Sequence, residues 1–442
     1  MRPALVLVPQ YFGSTVFDRR TSRYMPFDRE TTDLLTRSVE TPFDFFIDSE
    51  CDSERRRRLE RFFEHFESKG FFTTNRRFYG SVLDVTPPRD HLTGPLAVHL
   101  EVVAACNLTC THCFAGELPR REEPLSLADL DRLFATLARM GAFRLGLTGG
   151  EPLLRRDLFE ILDLATHHGL HPCLTTNGLL VTEPIAREFG KRELAWLNVS
   201  LDGATAESND RVRGAGTFAR VLEKLELLRR YARFTLAFTI MSHNAAEVGE
   251  CAKLAARVGA HSAVFRPLYP VGTASHHREL MPSFDQYSSA VHDLAELGGD
   301  LAEACEPPGG FELRSVDPFG PGSRAEARSV VHQNYGCGAG NLVCSISVSG
   351  DVNPCSFLGN AFVAANVRHR TFEEIWHDSN VFREIRGLPG DGSGTTSFGG
   401  GCRARALVLA GDANAPDPWL AARASGALHP LVVIERRPRS GT

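Results

Sequence analysis

The sequence predicts an α/β protein built on a parallel sheet, with a small module before it and a cysteine-rich module after it. Three observations carry this. From about Leu96 to Leu297, strand-like and helix-like patterns alternate as six βα units, which implies parallel strands joined by right-handed crossovers. The first 95 residues repeat none of that alternation. Beyond residue 335, cysteines and glycines recur around short strand-like pieces.

In the alternating region, Val98–Val102 and Phe143–Leu147 read as strands. The helices are Leu127–Met140, Leu158–His168, Phe218–Tyr231, Ala246–Val258 and Tyr287–Leu297, each with apolar residues at helical spacing. Ser126 with Asp129 three residues on reads as a capping pair for the first. Six units are too few for a closed eight-stranded barrel. Upstream, Ser14–Asp18 and Ser22–Pro26 read as short strands, followed by helices from about Asp28 to Ser38 and from Arg55 to Lys69, the second ended by Gly70. Residues 306–335 have no period, are rich in Pro and Gly at first, and read as a linker and site cover. The domains are therefore drawn at 1–95, 96–300, a linker at 301–335, 336–425, and a tail at 426–442.

A net charge of −5 without a basic domain argues against a general nucleic-acid binder. Arg55–Arg58 lead into Leu59, Phe62, Phe63 and Phe66 and read as the solvated start of an amphipathic helix. No apolar stretch is long enough to cross a membrane, and Met1–Pro9 lacks the h-region of a signal peptide. Eleven cysteines, mostly grouped by motif, point to metal ligation in a reducing compartment, hence the cytoplasm. Cys51, Cys173, Cys251 and Cys305 fall outside the groups and read as buried small hydrophobes.

Cys106, Cys110 and Cys113 follow the first predicted strand of the alternating region. Closed zinc and iron–sulfur sites use four protein ligands; a 4Fe–4S cluster on three thiolates keeps one iron open. On the triplet alone a zinc or structural role stays open. Further motifs follow in order: Thr148-Gly149-Gly150-Glu151-Pro152, Thr175-Thr176-Asn177-Gly178, Asn198-Val199-Ser200-Leu201-Asp202-Gly203, and Phe265-Arg266-Pro267-Leu268-Tyr269-Pro270-Val271-Gly272. Two glycines permit close backbone approach, and Glu151 can accept from an ammonium.

The triplet and these strand ends resemble the radical S-adenosylmethionine (radical SAM) superfamily. The resemblance implies an open (β/α)6 partial TIM barrel with SAM at the C-terminal strand ends. The open iron would bind SAM, and one electron would cleave it to a 5′-deoxyadenosyl radical. Gly149, Gly150, Glu151 and Pro152 match the motif that binds the SAM amino group. Asn177, Ser200 and Asp202 fall at the third and fourth strand ends, Arg213 follows as a SAM contact, and Tyr269 lies near the adenine.

Residues 1–95 are similar to a winged-helix-like peptide-binding module, the RiPP recognition element. Such modules hold the leader of a ribosomally made precursor by strand addition. A bare packing extension is the other reading. Cys337, Cys344, Cys355 and Cys402, with Phe372-Glu373-Glu374-Ile375-Trp376, resemble the SPASM module. They match the four ligands of its first auxiliary 4Fe–4S cluster; zinc at these four is the alternative. No cysteine stands in 390–399 or 417–420, where a second auxiliary cluster takes its ligands, so a reduced, Twitch-like form with one auxiliary cluster is expected. Sulfatase-maturing relatives carry an aspartate directly after the third of these cysteines. Here it is Ser356, a poor base. His332 or Tyr335 of the linker stay open as bases.

The resemblance thus implies two 4Fe–4S clusters, SAM, an external one-electron reductant, and oxidative modification of a precursor peptide, with no nucleic-acid or membrane partner. The rivals are the same chemistry on a small molecule, such as a tetrapyrrole or cofactor precursor, and a non-catalytic zinc-bound regulator.

Overall fold

The computed structural model describes residues 3–116, 123–304, 311–315, 337–387 and 401–419. The chain opens with a four-stranded sheet of β1 (Leu5–Gln10), β2 (Gly13–Asp18), β3 (Arg23–Asp28) and β4 (Gly80–Val82), in the order β3-β2-β1-β4. Three helices, α1 (Arg29–Arg37), α2 (Asp44–Asp48) and α3 (Ser53–Glu67), stand between β3 and β4. Asp28 caps α1 through the Thr31 N–H at 2.8 Å, and Asp52 caps α3.

β1 was not expected as a strand. Its run Leu-Val-Leu-Val is apolar throughout because both faces are covered. Leu5 and Leu7 enter a phenylalanine-rich core with Phe43, Phe63 and Phe71. Val6 and Val8 enter the main core, which also holds Leu145, Leu147 and Trp376. The N-terminal sheet is thereby packed onto the barrel.

The main sheet has ten strands, ordered β11-β10-β9-β8-β7-β6-β5-β12-β13-β14. β5 (Ala97–Val103), β6 (Arg144–Gly149), β7 (His171–Thr176), β8 (Trp196–Ser200), β9 (Thr235–Ile240) and β10 (Ser262–Pro267) are parallel and form the six expected units. Their helices are α4 (Leu127–Arg139), α5 (Leu158–His167), α6 (Glu183–Gly190), α7 (Ala206–Arg213), α8 (Thr217–Leu228), α9 (Val248–Arg257) and α10 (Phe284–Ala304). Ser126 and Asp129 do form a capping box on α4.

Along β6, β7 and β8, buried residues alternate with partly accessible ones. The buried set, including Leu145, Leu147, Leu174 and Leu197, belongs to the main core. Several of the accessible set, among them Thr148, Thr175, Asn198 and Ser200, line a cavity inside the sheet's curve.

Two departures concern the C-terminal half. β11 (Glu312–Ser315) lies within the segment read as linker and pairs in parallel with β10. Four residues are too few to show a period among Pro and Gly. Beyond the linker, β12 (Val343–Ile346) pairs in parallel with β5, so Cys344 lies opposite Val98, and β13 (Asp351–Asn353) and β14 (Ala365–Asn366) extend the same sheet. The region drawn from 336 thus continues the barrel's sheet. It ends in α11 (Phe372–Asp378), α12 (Asn380–Gly387) and α13 (Arg403–Ala410). His332, Tyr335, Cys305, the stretch 390–399 and the tail 426–442 lie outside the described residues.

Cys251 is buried as expected. Cys51 is not: it is exposed in the turn before α3, where no strand or helix carries it inward. Cys173 is only partly buried, on the accessible side of β7.

Candidate active site and metal centres

The triplet loop leaves β5 at Val103 and is held at both ends by the glycine motif. Gly150 N–H donates to the Val103 carbonyl (2.7 Å), and Glu151 N–H donates to that of Ala105 (2.8 Å). A Cβ on Gly149 would stand 2.2 Å from the Val103 oxygen, and one on Gly150 2.1 Å from the Ala105 oxygen. Gly149 also has φ +139°, so the approach requires glycine.

Glu151 acts behind this contact. Its buried carboxylate accepts from the Thr176 hydroxyl (2.6 Å), Asn177 N–H (2.8 Å) and Leu153 N–H (3.0 Å), tying the end of β6 to that of β7. Burial pushes its pKa up, against those donors. Asn177 then reaches the loop directly, donating to Asn107 at 2.7 Å.

A second anchor is Asp202, fully buried after β8. It meets His112 Nε2 at 2.9 Å and Arg213 at 2.6 Å, and accepts from Thr239 N–H at 2.7 Å. Burial alone would raise its pKa, yet the Arg213 guanidinium and the His112 ring hold the carboxyl well below the usual carboxylate range. Thr111 N–H donates to the Val212 carbonyl at 3.0 Å, so the loop is also fastened to α7.

Cys106, Cys110 and Cys113 line one cavity of about 230 Å³ together with Gly149, Gly150, Asn177, Ser200, Arg213 and Tyr269. These are the expected SAM-side residues. Glu151 and Asp202 are placed differently: their carboxylates stand behind the wall and position it. Pro152 is buried and opens the short 3-10 turn that follows.

Cys106 is exposed, and Cys110 and Cys113 are half-buried. Burial pushes Cys110 up to about 11 and raises Cys113 as well. Leu108 N–H donates to the Cys106 sulfur at 3.4 Å, and Ala115 N–H faces Cys113. Such amide–sulfur contacts favour the ligating thiolate.

The C-terminal cysteines form a different environment. Cys337, Cys344 and Cys402 are 8%, 1% and 5% exposed, with Cys355 partly buried beside them. Three of them feel another's charge: Cys337 acts on Cys355 and Cys402, and Cys355 acts on Cys344 and Cys402. Burial pushes Cys355 up to about 12, and Cys344 and Cys402 also rise. The amides of Phe357 and Arg405 face Cys355 and Cys402. Four buried thiols gathered this way suit a closed cluster, where metal replaces the protons. Among the described residues no three Cys, His, Asp or Glu groups converge closely enough for one ion.

An aromatic wall joins the two centres. Phe357 stacks on Tyr269 (4.7 Å) and meets Phe114 edge-on (5.6 Å). All three line the cavity, so the C-terminal region closes the barrel's site. Behind it, buried Arg405 pairs with Asp417 at 2.9 Å and lies 3.7 Å over Trp419. Sequence reasoning missed Asn107, His112, Phe114 and Phe357. The first two sit inside the triplet loop, where polar residues invite a search for partners; the spacing of the phenylalanines carried no signal.

A radical SAM superfamily model matches residues 100–255, and an iron–sulfur cluster-binding (SPASM) domain model matches residues 337–402. The chain is 31% identical over 362 residues to mycofactocin maturase MftC of Mycobacterium tuberculosis, covering 79% of this chain and 88% of that protein. It is 31% identical to the AdoMet-dependent heme synthase of Methanosarcina barkeri, covering 74% and 96%. The fold is similar to that of Streptococcus suis SuiB, with a TM-score of 0.66, 14% identity, and coverage of 95% and 99%. The cavity's three thiols and glycine-bound loop, the buried thiol quartet and these likenesses agree: the chain belongs to the radical SAM superfamily and carries a SPASM iron–sulfur domain, with 4Fe–4S clusters and SAM as its cofactors.

Proposed function

We propose that this chain cleaves SAM reductively and modifies a ribosomally made peptide by cross-linking or another oxidative change at a C–H bond. One observation carries the reading: a single cavity is lined by the three open-site thiols, by the SAM-side residues Asn177, Ser200 and Arg213, and by Phe357 from the SPASM domain. When bound, the cluster supplies the electron that splits SAM into methionine and a 5′-deoxyadenosyl radical.

The chain's own residues do the rest by placement. Arg213, held by Asp202, offers a fixed cation, and Ser200 and Asn177 offer hydrogen-bonding groups. Phe114, Tyr269 and Phe357 form an aromatic wall that would keep water from the reacting space. Cys337, Cys344, Cys355 and Cys402 would hold one auxiliary cluster, with an external one-electron reductant and a cytoplasmic setting completing the reading.

The peptide substrate draws support from relatives named mycofactocin maturase and PqqA peptide cyclase, the latter 30% identical over 339 residues. Residues 1–95 would hold the leader. Their sheet ends at β3 with nothing paired on its outer side among the described residues, and Pro26 within it suits an edge strand. The likeness to heme synthase favours a second reading, a tetrapyrrole substrate. The test is anaerobic reconstitution of the full chain, with 5′-deoxyadenosine measured under dithionite, followed by incubation with short peptides encoded beside the gene and, separately, with porphyrin precursors. A mass change on a peptide supports the first reading; a change on the porphyrin alone overturns it.

A further inference from the structure

The barrel's interior holds a cation that the SAM-side machinery does not use. Arg266 lies on β10 in the same alternating set as Ser262 and Val264, and both Val264 and Arg266 line the cavity. Neighbouring lining groups are Thr175, Asn198 and Thr239.

Other arginines in or beside this interior have partners of their own. Arg213 pairs with Asp202, and Arg155 with Asp157 and two carbonyls. Arg144 donates to the Ser22 carbonyl and covers one side of Trp196, while Arg314 pairs with Glu312 and also meets that ring. Among the described residues Arg266 has no carboxylate or carbonyl partner. Arg266 is exposed and lines the cavity, and desolvation by the surrounding protein lowers its pKa from the ordinary arginine value. The groups that oppose the shift are the Tyr269 phenol and the Cys173 thiol, the latter pushed up to about 12 by burial, so neither supplies a negative charge at neutral pH.

Arg266 keeps exposed surface on the strand that lines the cavity, and its fixed fork of donors matches a carboxylate in two hydrogen bonds. The triplet thiols are not that counter-charge. Arg213 is the guanidinium whose charge reaches Cys110 and Cys113. A counter-charge for Arg266 would therefore enter with a ligand.

We propose that Arg266 is a carboxylate-binding site in the barrel interior, and that the carboxylate belongs to the substrate, either a chain terminus or an acidic side chain brought into the cavity. This rests on the peptide-modifying reading and adds to it a substrate feature: an anionic group seated on β10, beside the residues that face SAM. SAM has a carboxylate of its own, and Arg213 already offers that molecule a cation at the strand ends.

The experiment is chemical labelling of the reconstituted full-length protein with phenylglyoxal under anaerobic conditions. The rate of adduct formation on the peptide spanning Arg266 is read by mass spectrometry. The probes are acetyl-glycyl-glycine, its C-terminal amide, and SAM. Acetyl-glycyl-glycine at millimolar concentration is expected to slow labelling of Arg266 about threefold or more, with SAM present or absent. The amide should leave the rate unchanged. If SAM alone protects Arg266 and the free acid adds nothing, the carboxylate is SAM's and the substrate assignment is overturned. Equal protection by acid and amide, or by neither, overturns the site itself. The broader reading fails separately: a chain that modifies no peptide would still give acid-selective protection of Arg266. A peptide maturase without this site would give none.

Discussion

The two cysteine sets differ in what surrounds them more than in what they are. Cys106, Cys110 and Cys113 sit on a loop at the mouth of a cavity, with Cys106 exposed. Cys337, Cys344 and Cys402 are buried, and Cys344 sits on a strand paired with β5. As cluster ligands, three reachable thiols would leave a coordination position for something that comes and goes, and four thiols, three of them buried, would leave none. The supports differ in the same sense. The triplet loop is fixed by groups outside it, namely Asn177, Asp202 and the backbone after β6. The quartet is assembled by the fold itself, through β12 and the start of α13.

That contrast is open to attack, and the largest effect comes from the triplet. Replacing Cys106, Cys110 and Cys113 together by alanine is expected to abolish 5′-deoxyadenosine formation under dithionite. Compared without clusters, the melting temperature should stay close to that of the parent, because Cys106 is exposed and Cys110 and Cys113 are only half-buried. A triple variant that cleaves SAM at the parent rate refutes the assignment.

Next is Asp202→Asn. Breaking a buried ion pair costs about 3–5 kcal/mol, so denaturant midpoints should fall and SAM cleavage with them as His112 and Arg213 lose their anchor. Because the folded-state pKa lies below the unfolded value, the Asp202 contribution is present above about pH 4 and is lost as pH falls through the folded pKa. The parent's advantage over the variant should therefore be flat from pH 5 to 8 and narrow only in acid. An advantage that grows on acidification would contradict the sign.

Cys344→Ala probes the other set. Loss of one ligand from an enclosed site should remove its metal and lower the melting temperature of the loaded protein by about 5 °C or more, while 5′-deoxyadenosine is still formed without substrate. Unchanged iron content would show that the quartet is not a ligand set. The smallest effect is expected from Phe357→Ala, which opens the shared wall: a rise of about threefold in the SAM KM, read from initial rates at fixed dithionite. No change would mean that the SPASM domain does not shape the SAM cavity.

Much of this was legible because the chemistry is local in sequence. The triplet, Gly149 and Gly150 each act within a few residues of a strand end, and the six units announce themselves by period. What escaped depends on partners far along the chain. Leu5–Gln10 is apolar on both faces only because two cores meet there, so the run resembles no half-buried strand. Glu312–Ser315 becomes a strand because β10 offers an edge. Glu151 and Asp202 look like ligand contacts in a motif, and their bracing of the site through Thr176, Asn177, His112 and Arg213 shows only in the structure. Arg266 stands in the sixth strand-end motif, but nothing in that motif marks its place; what distinguishes it is that no counter-charge pairs with it among the described residues.

The central claim is that one centre is open and one is closed, and metal analysis joined to spectroscopy addresses it most directly. The reconstituted full-length protein is expected to hold about eight irons and eight sulfides per chain, as two 4Fe–4S clusters. On reduction, added SAM should change the electron paramagnetic resonance signal of one cluster and leave the other as it was. About twelve irons with a third signal, or a SAM response from both clusters or from neither, would contradict the account.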